Sequence, residues 1–261
     1  MIQSDPGPRP DARPRISVVV PAHNEAHIIG RCLDALCAGT DMPDEILVVD
    51  NNCADATARI AERYPRVRVI REPRAGVTFA RTAGFDAATG DVIARIDADS
   101  IVAPDWTARI RAAFADGSVD AIAGGAAIAE LSPRGRFWFG WWYRGFRLWH
   151  ERSIGVAPML YGFNSALRAS AWRAARHLVA LGDDAVSEDV DVTIALLRTG
   201  HVLRFVPELR VKARLFRSID RDKLARYYRT DSLTLTRHRF GNPRRWVDDA
   251  SDVGAPGYAR G

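Results

Sequence analysis

From Ile16 onward the chain alternates short apolar runs with longer amphipathic stretches, the pattern of strands and helices succeeding one another along a largely parallel sheet. ISVVVPAHNE predicts an apolar strand that breaks at Pro21, with a helix over about residues 26–36 after it. EILVVDNN predicts a second strand, CADATARIAERYP a helix closed by Pro65, VRVIREP a third strand, and VTFARTAGFDAATG a third helix ended by Gly90. DVIARIDADS reads as a fourth strand, and Pro104 is placed to open a helix in APDWTARIRAAFAD. VDAIAGGAAIAEL resumes strand character, the aromatic segment after Pro133 predicts a helix, MLYGFNSALRAS a strand delivering a turn, and SAWRAARHLVAL a helix stopped at Gly182. Ser187 is positioned to cap a helix in SEDVDVTIALLRTG that Gly200 stops; HVLRFVP follows as a strand and DRDKLARYYRTDSLTLTRHRF as a long helix. The expected class is α/β, a mostly parallel sheet flanked by helices. Residues 1–15, with four prolines and no apolar stretch resembling a signal peptide, are expected to form a flexible leader. Residues 16–240 should form one domain with portions over about 16–117 and 118–240, and the Gly-, Pro- and Asp-rich residues 241–261 a mobile tail.

Each of three predicted strands delivers its polar residues at its C-terminal end: His23 to Glu25, Asp50 to Asn52, and Asp97 to Ser100. In an open parallel sheet those ends share one edge, where ligands bind, so three separated clusters become one candidate site. If the strand stays extended, Asp97 and Asp99 point to the same side across Ala98. Paired carboxylates suit a hard cation such as Mn2+ or Mg2+ joined to substrate phosphates; the competing reading is a turn or capping pair ahead of Pro104. Asp50 can accept hydrogen bonds from a base or ribose, or form an Asx-turn with Asn51 and Asn52. Asn24 and Glu25 can contact a ligand or cap the next helix, while His23, alone in a turn, needs no metal or proton-transfer role. Arg74 and Gly76 precede a helix start suited to an anion, or form an ordinary basic loop; Arg81, about a turn further, faces either phosphate or solvent. Glu188, Asp189 and Asp191 follow Ser187 at a helix start, where acids are favourable without catalysis, yet such a pair can also orient a hydroxyl and take its proton.

Of 261 residues 47% are apolar, enough for a buried core, and the formal charge of +5 comes almost wholly from arginine, with Lys212 and Lys223 the two lysines. Such a balance can attract nucleic acid, an acidic lipid surface or a phosphate-bearing substrate, and does not choose among them. A nucleic-acid module has little else in its favour, and no nucleic-acid partner is expected. Cys32, Cys37 and Cys53 form no CxxC pair, against a disulfide scaffold or zinc ribbon. The run from Phe137 to Trp149 is too short to span a bilayer and is interrupted by Arg144 and Arg147. It can pack in the core, wall an acceptor site, or lie on a membrane or another subunit.

VVVPAHNE, ILVVDNNCADAT, ARTAG, ARIDADS, YGFNSALRAS and SEDVD, in this order over residues 16–198, together resemble the inverting glycosyltransferase family 2, whose members adopt the GT-A fold. The resemblance implies a nucleotide-binding portion and an acceptor-side portion. Pro21, Ala22, Asn24 and Glu25 would surround the nucleotide, and Asp50 would contact its base or sugar. Asp97 and Asp99 would be the DxD pair, with Asp99 the better direct ligand of Mn2+ or Mg2+. Asp189 would be the general base and Glu188 its acceptor-orienting neighbour, while Gly162, Asn164 and Arg168 would shape the donor-sugar and acceptor region. The implied donor is a nucleotide sugar, UDP-linked by family frequency. The implied acceptor is a hydroxyl on a saccharide, a lipid-linked or a small molecule, in the cytoplasm or at the inner membrane surface. Thr82 stands where asparagine is frequent, VKARLF lacks a histidine found in many relatives, and the Q/RxxRW signature is absent, which favours addition of one sugar over polymerisation. A sugar-1-phosphate nucleotidyltransferase would show a glycine-rich basic loop that HNEAHIIG lacks. A nonenzymatic carbohydrate-binding or scaffold protein would need neither the metal pair nor Asp189.

Overall fold

The computed structural model describes residues 13–115, 117–128, 133–156, 158–182, 185–213 and 221–239. In chain order the elements are β1 (Ile16–Ala22), α1 (Ile29–Cys37), β2 (Glu45–Asn51), α2 (Thr57–Ala61), β3 (Val67–Glu72), α3 (Val77–Ala87), β4 (Val92–Ile96), β5 (Ile101–Val102), α4 (Trp106–Ala113), β6 (Ala121–Ile128), α5 (Pro133–Ile154), β7 (Asn164–Arg168), α6 (Ala169–Ala175), α7 (Glu188–Arg198), β8 (Leu203–Ala213) and α8 (Arg221–Arg237). They build an eight-stranded sheet of order β3-β2-β1-β4-β7-β6-β8-β5. The first four strands run parallel, β7 is antiparallel to β4 and β6, and β8 is parallel to β6.

The central strands read as unbroken apolar runs because both of their faces are covered. Val18, Val20, Ile46, Val48, Ala94 and Ile96 pack with Leu33 and Leu36 of α1 and with Trp106 and Ile110 of α4. Val19, Leu47, Val49 and Ile93 pack against Phe85 of α3, Trp172 of α6 and Leu196 of α7. Gly84 lets α3 approach the sheet: a Cβ there would lie 2.3 Å from Val19 Cγ1 and 2.9 Å from Val49 Cγ2.

Several boundaries depart from the periodicity for local reasons. Helix α1 starts at Ile29 because Asn24 adopts a left-handed φ of 56° and the Ile28 and Ile29 amides close a turn onto the Glu25 carbonyl. Strand β4 stops at Ile96, and Asp97 to Ser100 form a turn closed by the Ser100 amide on the Asp97 carbonyl at 3.0 Å. That turn feeds β5, a two-residue strand that periodicity did not predict and that β8 stabilises by antiparallel pairing. Ser187 occupies the N-cap position of α7 but makes no side-chain cap bond. Its amide instead donates to Thr234 Oγ1 of α8 at 2.7 Å. Residues 13–15, expected in a flexible leader, are tied down: Arg13 ion-pairs with Asp41, the Arg15 amide donates to Asp91 at 2.8 Å, and Pro14 offers its carbonyl to Arg111. The rest of the leader and the tail from residue 240 lie outside the described residues. Among the described residues no helix is long and apolar enough to cross a membrane.

Candidate active site

The C-terminal ends of β1, β2, β3 and β4 lie along one edge of the sheet, and their loops are tied to one another by short polar bonds. Pro21 and Ala22 close β1 in register with Val49 and Asp50. His23 Nδ1 donates to the Asn51 carbonyl at 2.7 Å, Asn24 Oδ1 accepts the Ala54 amide at 2.8 Å, and the Glu25 amide donates to Thr57 Oγ1 at 2.8 Å. Asp50 Oδ1 accepts the Cys53 amide at 3.0 Å, so it does form the Asx-type turn. Asn51, in the polar cluster at the end of β2, is buried and organises the β3–α3 loop. Its amide group donates to the Glu72 and Arg74 carbonyls at 3.2 and 2.7 Å and accepts from the Gly76 amide at 3.0 Å. Gly76 has φ 139° and ψ 138°, a conformation open to glycine. Arg74 makes two bonds to Glu72, at 2.8 and 2.7 Å, over the Phe79 ring. These bonds hold the Glu72 carboxyl below its ordinary range.

Because β4 ends before them, Asp97 and Asp99 are presented by a turn and not by strand alternation. Asp97 keeps 48% of its side-chain exposure, 3.8 Å from Arg95. Loss of surrounding water pushes its carboxyl up to about 6; Arg95 opposes this, and Asp99, Glu188 and Glu25 add to it. The two carboxylates are oxygen donors of the kind that suits a hard divalent cation. Among the described residues no cluster of three or more His, Cys, Asp or Glu could hold a metal.

Across the edge, the first turn of α7 presents Glu188 and Asp189. Asp189 Oδ1 accepts the Gly162 amide at 2.9 Å. Burial, then the neighbouring Glu188 charge, push Asp189 up to about 7 against the pull of Arg95 and the Gly162 amide. Arg95, a residue that sequence reasoning missed, lies beneath all of these. It is buried, ion-paired directly to Glu188, and 3.8 Å from both Asp189 and Asp97. Burial alone would lower its pKa, but Glu188, Asp189 and Asp97 hold it raised. The signal was present: an arginine inside the apolar strand VIARI needs a buried carboxylate to accompany it. Gly162 is small for the same reason, since a Cβ there would sit 2.5 Å from the Arg95 guanidinium carbon. A small cavity opens here, with Arg81, Arg95, Gly162, Ser165, Glu188 and Asp189 among the residues that line it. Among the described residues, Glu188 Oε2 and Arg95 Nε, both buried, have no hydrogen-bond partner.

Three expected site residues are engaged by the protein itself. Arg81 is fully buried on the cavity's lining, 3.7 Å from Glu188 and 4.0 Å from Asp191, and donates to the Ala180 carbonyl at 3.1 Å. Burial lowers its pKa, with Glu188 and Asp191 opposing. Asn164, expected in the donor-sugar and acceptor region, accepts from Trp106 Nε1 at 3.0 Å and donates to the Gly125 and Leu209 carbonyls at 2.9 and 2.8 Å, which occupies its amide inside the core. Arg168 pairs in register with Val92, at the start of β4, a strand's length from Asp97. It donates to the Val119 and Phe114 carbonyls at 3.0 Å each, because β7 runs antiparallel and carries its last residue away from the site.

Residues 17–174 match the sequence profile of Glycosyl transferase family 2. The chain belongs to that family. The probable glycosyltransferase YdaM of Bacillus subtilis is 30% identical over 215 residues, which cover 74% of this chain and 49% of YdaM. The uncharacterized glycosyltransferase YibD of Escherichia coli is 33% identical over 94 residues, 34% of this chain and 27% of YibD. The family 2 chain thus spans half or less of the length of these relatives. Among solved structures, the mannosyltransferase PcManGT from Pyrobaculum calidifontis, in complex with GDP-Man and Mn2+, superposes with a TM-score of 0.63 at 24% identity, covering 95% of this chain and 68% of its own. Glucosyl-3-phosphoglycerate synthase from Mycobacterium tuberculosis, with Mn2+, UDP and phosphoglyceric acid, gives 0.64 at 18% identity, covering 88% and 80%. These likenesses place the family 2 sheet in the GT-A fold.

Proposed function

We propose that this chain transfers one sugar, with inversion at the anomeric carbon, from a nucleoside-diphosphate sugar to a hydroxyl acceptor. The observation that carries the reading is Asp189: a partly buried carboxylate, oriented by the Gly162 amide and raised in pKa, beside the acidic turn at the end of β4. A base with a pKa near the working pH takes a proton effectively while still being ionised often enough to act. Asp189 accepts the acceptor hydroxyl proton as that oxygen attacks the anomeric carbon from the face opposite the leaving group. Glu188, held by Arg95, orients the acceptor. Asp97 and Asp99 hold a divalent cation, which when bound supplies positive charge for the diphosphate oxygens. Pro21, Ala22, Asn24, Glu25 and Asp50 line the nucleotide edge, with the Gly76 loop behind them. Most of the rate gain comes from alignment and charge stabilisation.

UDP is the favoured donor nucleotide. The synthase whose structure superposes on this chain was solved with UDP, and S. aureus TarS, with a TM-score of 0.55, with UDP-GlcNAc, whereas PcManGT was solved with GDP-Man. The test is a panel of UDP- and GDP-sugars with Mn2+ or Mg2+, comparing the parent chain with Asp99→Ala and Asp189→Asn. Metal-dependent release of one nucleoside diphosphate with formation of a glycosylated product of inverted configuration, lost in both variants, is expected. Turnover that survives in Asp189→Asn would remove the assigned base.

A further inference from the structure

Helix α5 is amphipathic in the reverse sense to a surface helix of a soluble protein. Its inward side is polar: Arg147, His150 and Glu151 are buried. Arg147 donates to Glu151 at 2.5 Å and lies 3.7 Å over the Phe205 ring, and His150 Nε2 pairs with Asp231 of α8 at 3.1 Å. Its outward side carries Trp138, Trp141, Trp142 and Trp149, exposed by 66%, 72%, 52% and 53%. Positions 138, 142 and 149 follow the i, i+4, i+11 spacing of one helix face, and 141 lies beside them. Trp142 stacks on Phe146 at 5.5 Å and Phe146 meets Trp149 at 6.0 Å, so the aromatics form a continuous strip. Exposed large apolar groups concentrated in this way mark a contact surface, since scattered ones would need no explanation.

We propose that the outward face of α5 is a docking surface for an anionic lipid bilayer, with its tryptophans at the headgroup level. Charge argues for lipid over a second protein surface. From Pro133 to Ile154 the helix has five arginines and one acid, Glu151, which is turned inward. Arg144 and Arg152 are exposed with the tryptophans. Tryptophan with arginine, on a helix too short in apolar residues to span, is the composition of an interfacial helix. The helix also joins the acceptor side of the site, because Glu151 accepts the Met159 amide at 3.1 Å in the segment that leads to Gly162. The docking itself does not depend on the transferase reading and is tested apart from it.

The test is flotation of the full chain with vesicles of phosphatidylcholine alone or mixed with phosphatidylglycerol, at low and high salt, with tryptophan fluorescence recorded. Binding to the anionic vesicles, weakened by salt and accompanied by a blue shift, is expected. Trp141→Ser/Trp142→Ser/Trp149→Ser should bind about tenfold or more weakly, and Trp141→Ser alone by a smaller factor in the same direction. Far-UV circular dichroism on both variants keeps a folding defect from being read as lost docking. Arg144→Gln/Arg152→Gln should lose the preference for anionic vesicles. Three results would overturn the proposal: no flotation with either vesicle; equal flotation of the parent and the triple variant; or concentration-dependent dimerisation that the triple variant abolishes without any vesicle binding.

Discussion

Arg95 holds Glu188 beside Asp189 and Asp97, so removing its charge strands a carboxylate that has little water to turn to. Breaking a buried pair from one side costs about 3–5 kcal/mol, because the remaining charge is uncompensated. Arg95→Met should therefore lower stability by roughly that much in urea unfolding, and adding Glu188→Gln should recover a large part of it. Additive losses in the double variant would show that the two side chains do not act as a pair. Asp189 gives a second prediction at this scale. As a base it works only when ionised, so turnover at saturating Mn2+ should rise with pH through about 7 and fall away below it. Asp189→Asn should reduce kcat by about 10²–10⁴ and flatten that limb of the pH–rate profile. An unchanged limb in the variant would assign the titration to another group. The acids at 188 and 189 stood out in the sequence as a pair with two readings, a helix start or a catalytic site. Their environment adds what the local run could not: the acids sit in the first turn of α7, and one is ion-paired to Arg95 while the other is held by the Gly162 amide.

Two glycines show how an element's surroundings outweigh its intrinsic preference. Replacing a helical glycine by alanine gains about 0.5–1 kcal/mol from reduced chain entropy where space is free. A Cβ on Gly145 of α5 would meet nothing within 4 Å among the described residues, so Gly145→Ala should stabilise the protein by that amount. Gly84 of α3 would press its Cβ into Val19 and Val49, and overpacking of about 1–3 kcal/mol exceeds the helical gain. Gly84→Ala should therefore unfold at lower urea than the parent, the opposite sign from Gly145→Ala. Periodicity located both helices, but it carries no information about how closely a helix face approaches the sheet. The same limit applies to α5. Its helical character was legible after Pro133, while core packing was one of the readings open for its aromatics. The structure sends the tryptophans outward because Arg147, His150 and Glu151 find their partners on the inner side.

At the scale of the whole molecule, the pairing of β4 with β7 joins the two portions of the chain into one sheet, so the acidic turn after β4 and the acids of α7 are held in one frame. A ligand that engages this frame only together with a cation should stabilise the fold only in the cation's presence. UDP with Mn2+ should raise the thermal unfolding midpoint, by an amount equivalent to about 2.7 kcal/mol at a hundredfold excess over Kd, and UDP with a chelator should not. Asp99→Ala should abolish the Mn2+-dependent shift. A UDP shift that persists in chelator would place nucleotide binding outside the acidic turn. Chelator alone should stop turnover and leave the midpoint of the free protein where it was, since among the described residues no cluster of three or more His, Cys, Asp or Glu could anchor a structural ion.

The order of elements, the two-residue β5 apart, and the shared edge of the parallel strands were already determined by the sequence, because strands covered on both faces must be apolar throughout and their polar ends must emerge where the sheet meets water. The family motifs were equally legible, since they are local runs of residues. What only the tertiary structure decided are relations between residues far apart in the chain. Asn164 and Arg168 lie in a recognisable motif, but β7 runs against β4, which leaves one plugged into the core and carries the other to the far end of the sheet. Arg81 enters a helix start that suits an anion, yet the fold buries its charge against Glu188 and Asp191 of α7. Arg95 is a single residue in an apolar strand, and its role exists only because Glu188 arrives beside it from 93 positions later in the chain. Local pattern encodes which elements form; the direction in which they pack, and so the environment of each charge, depends on contacts that no short window of sequence contains.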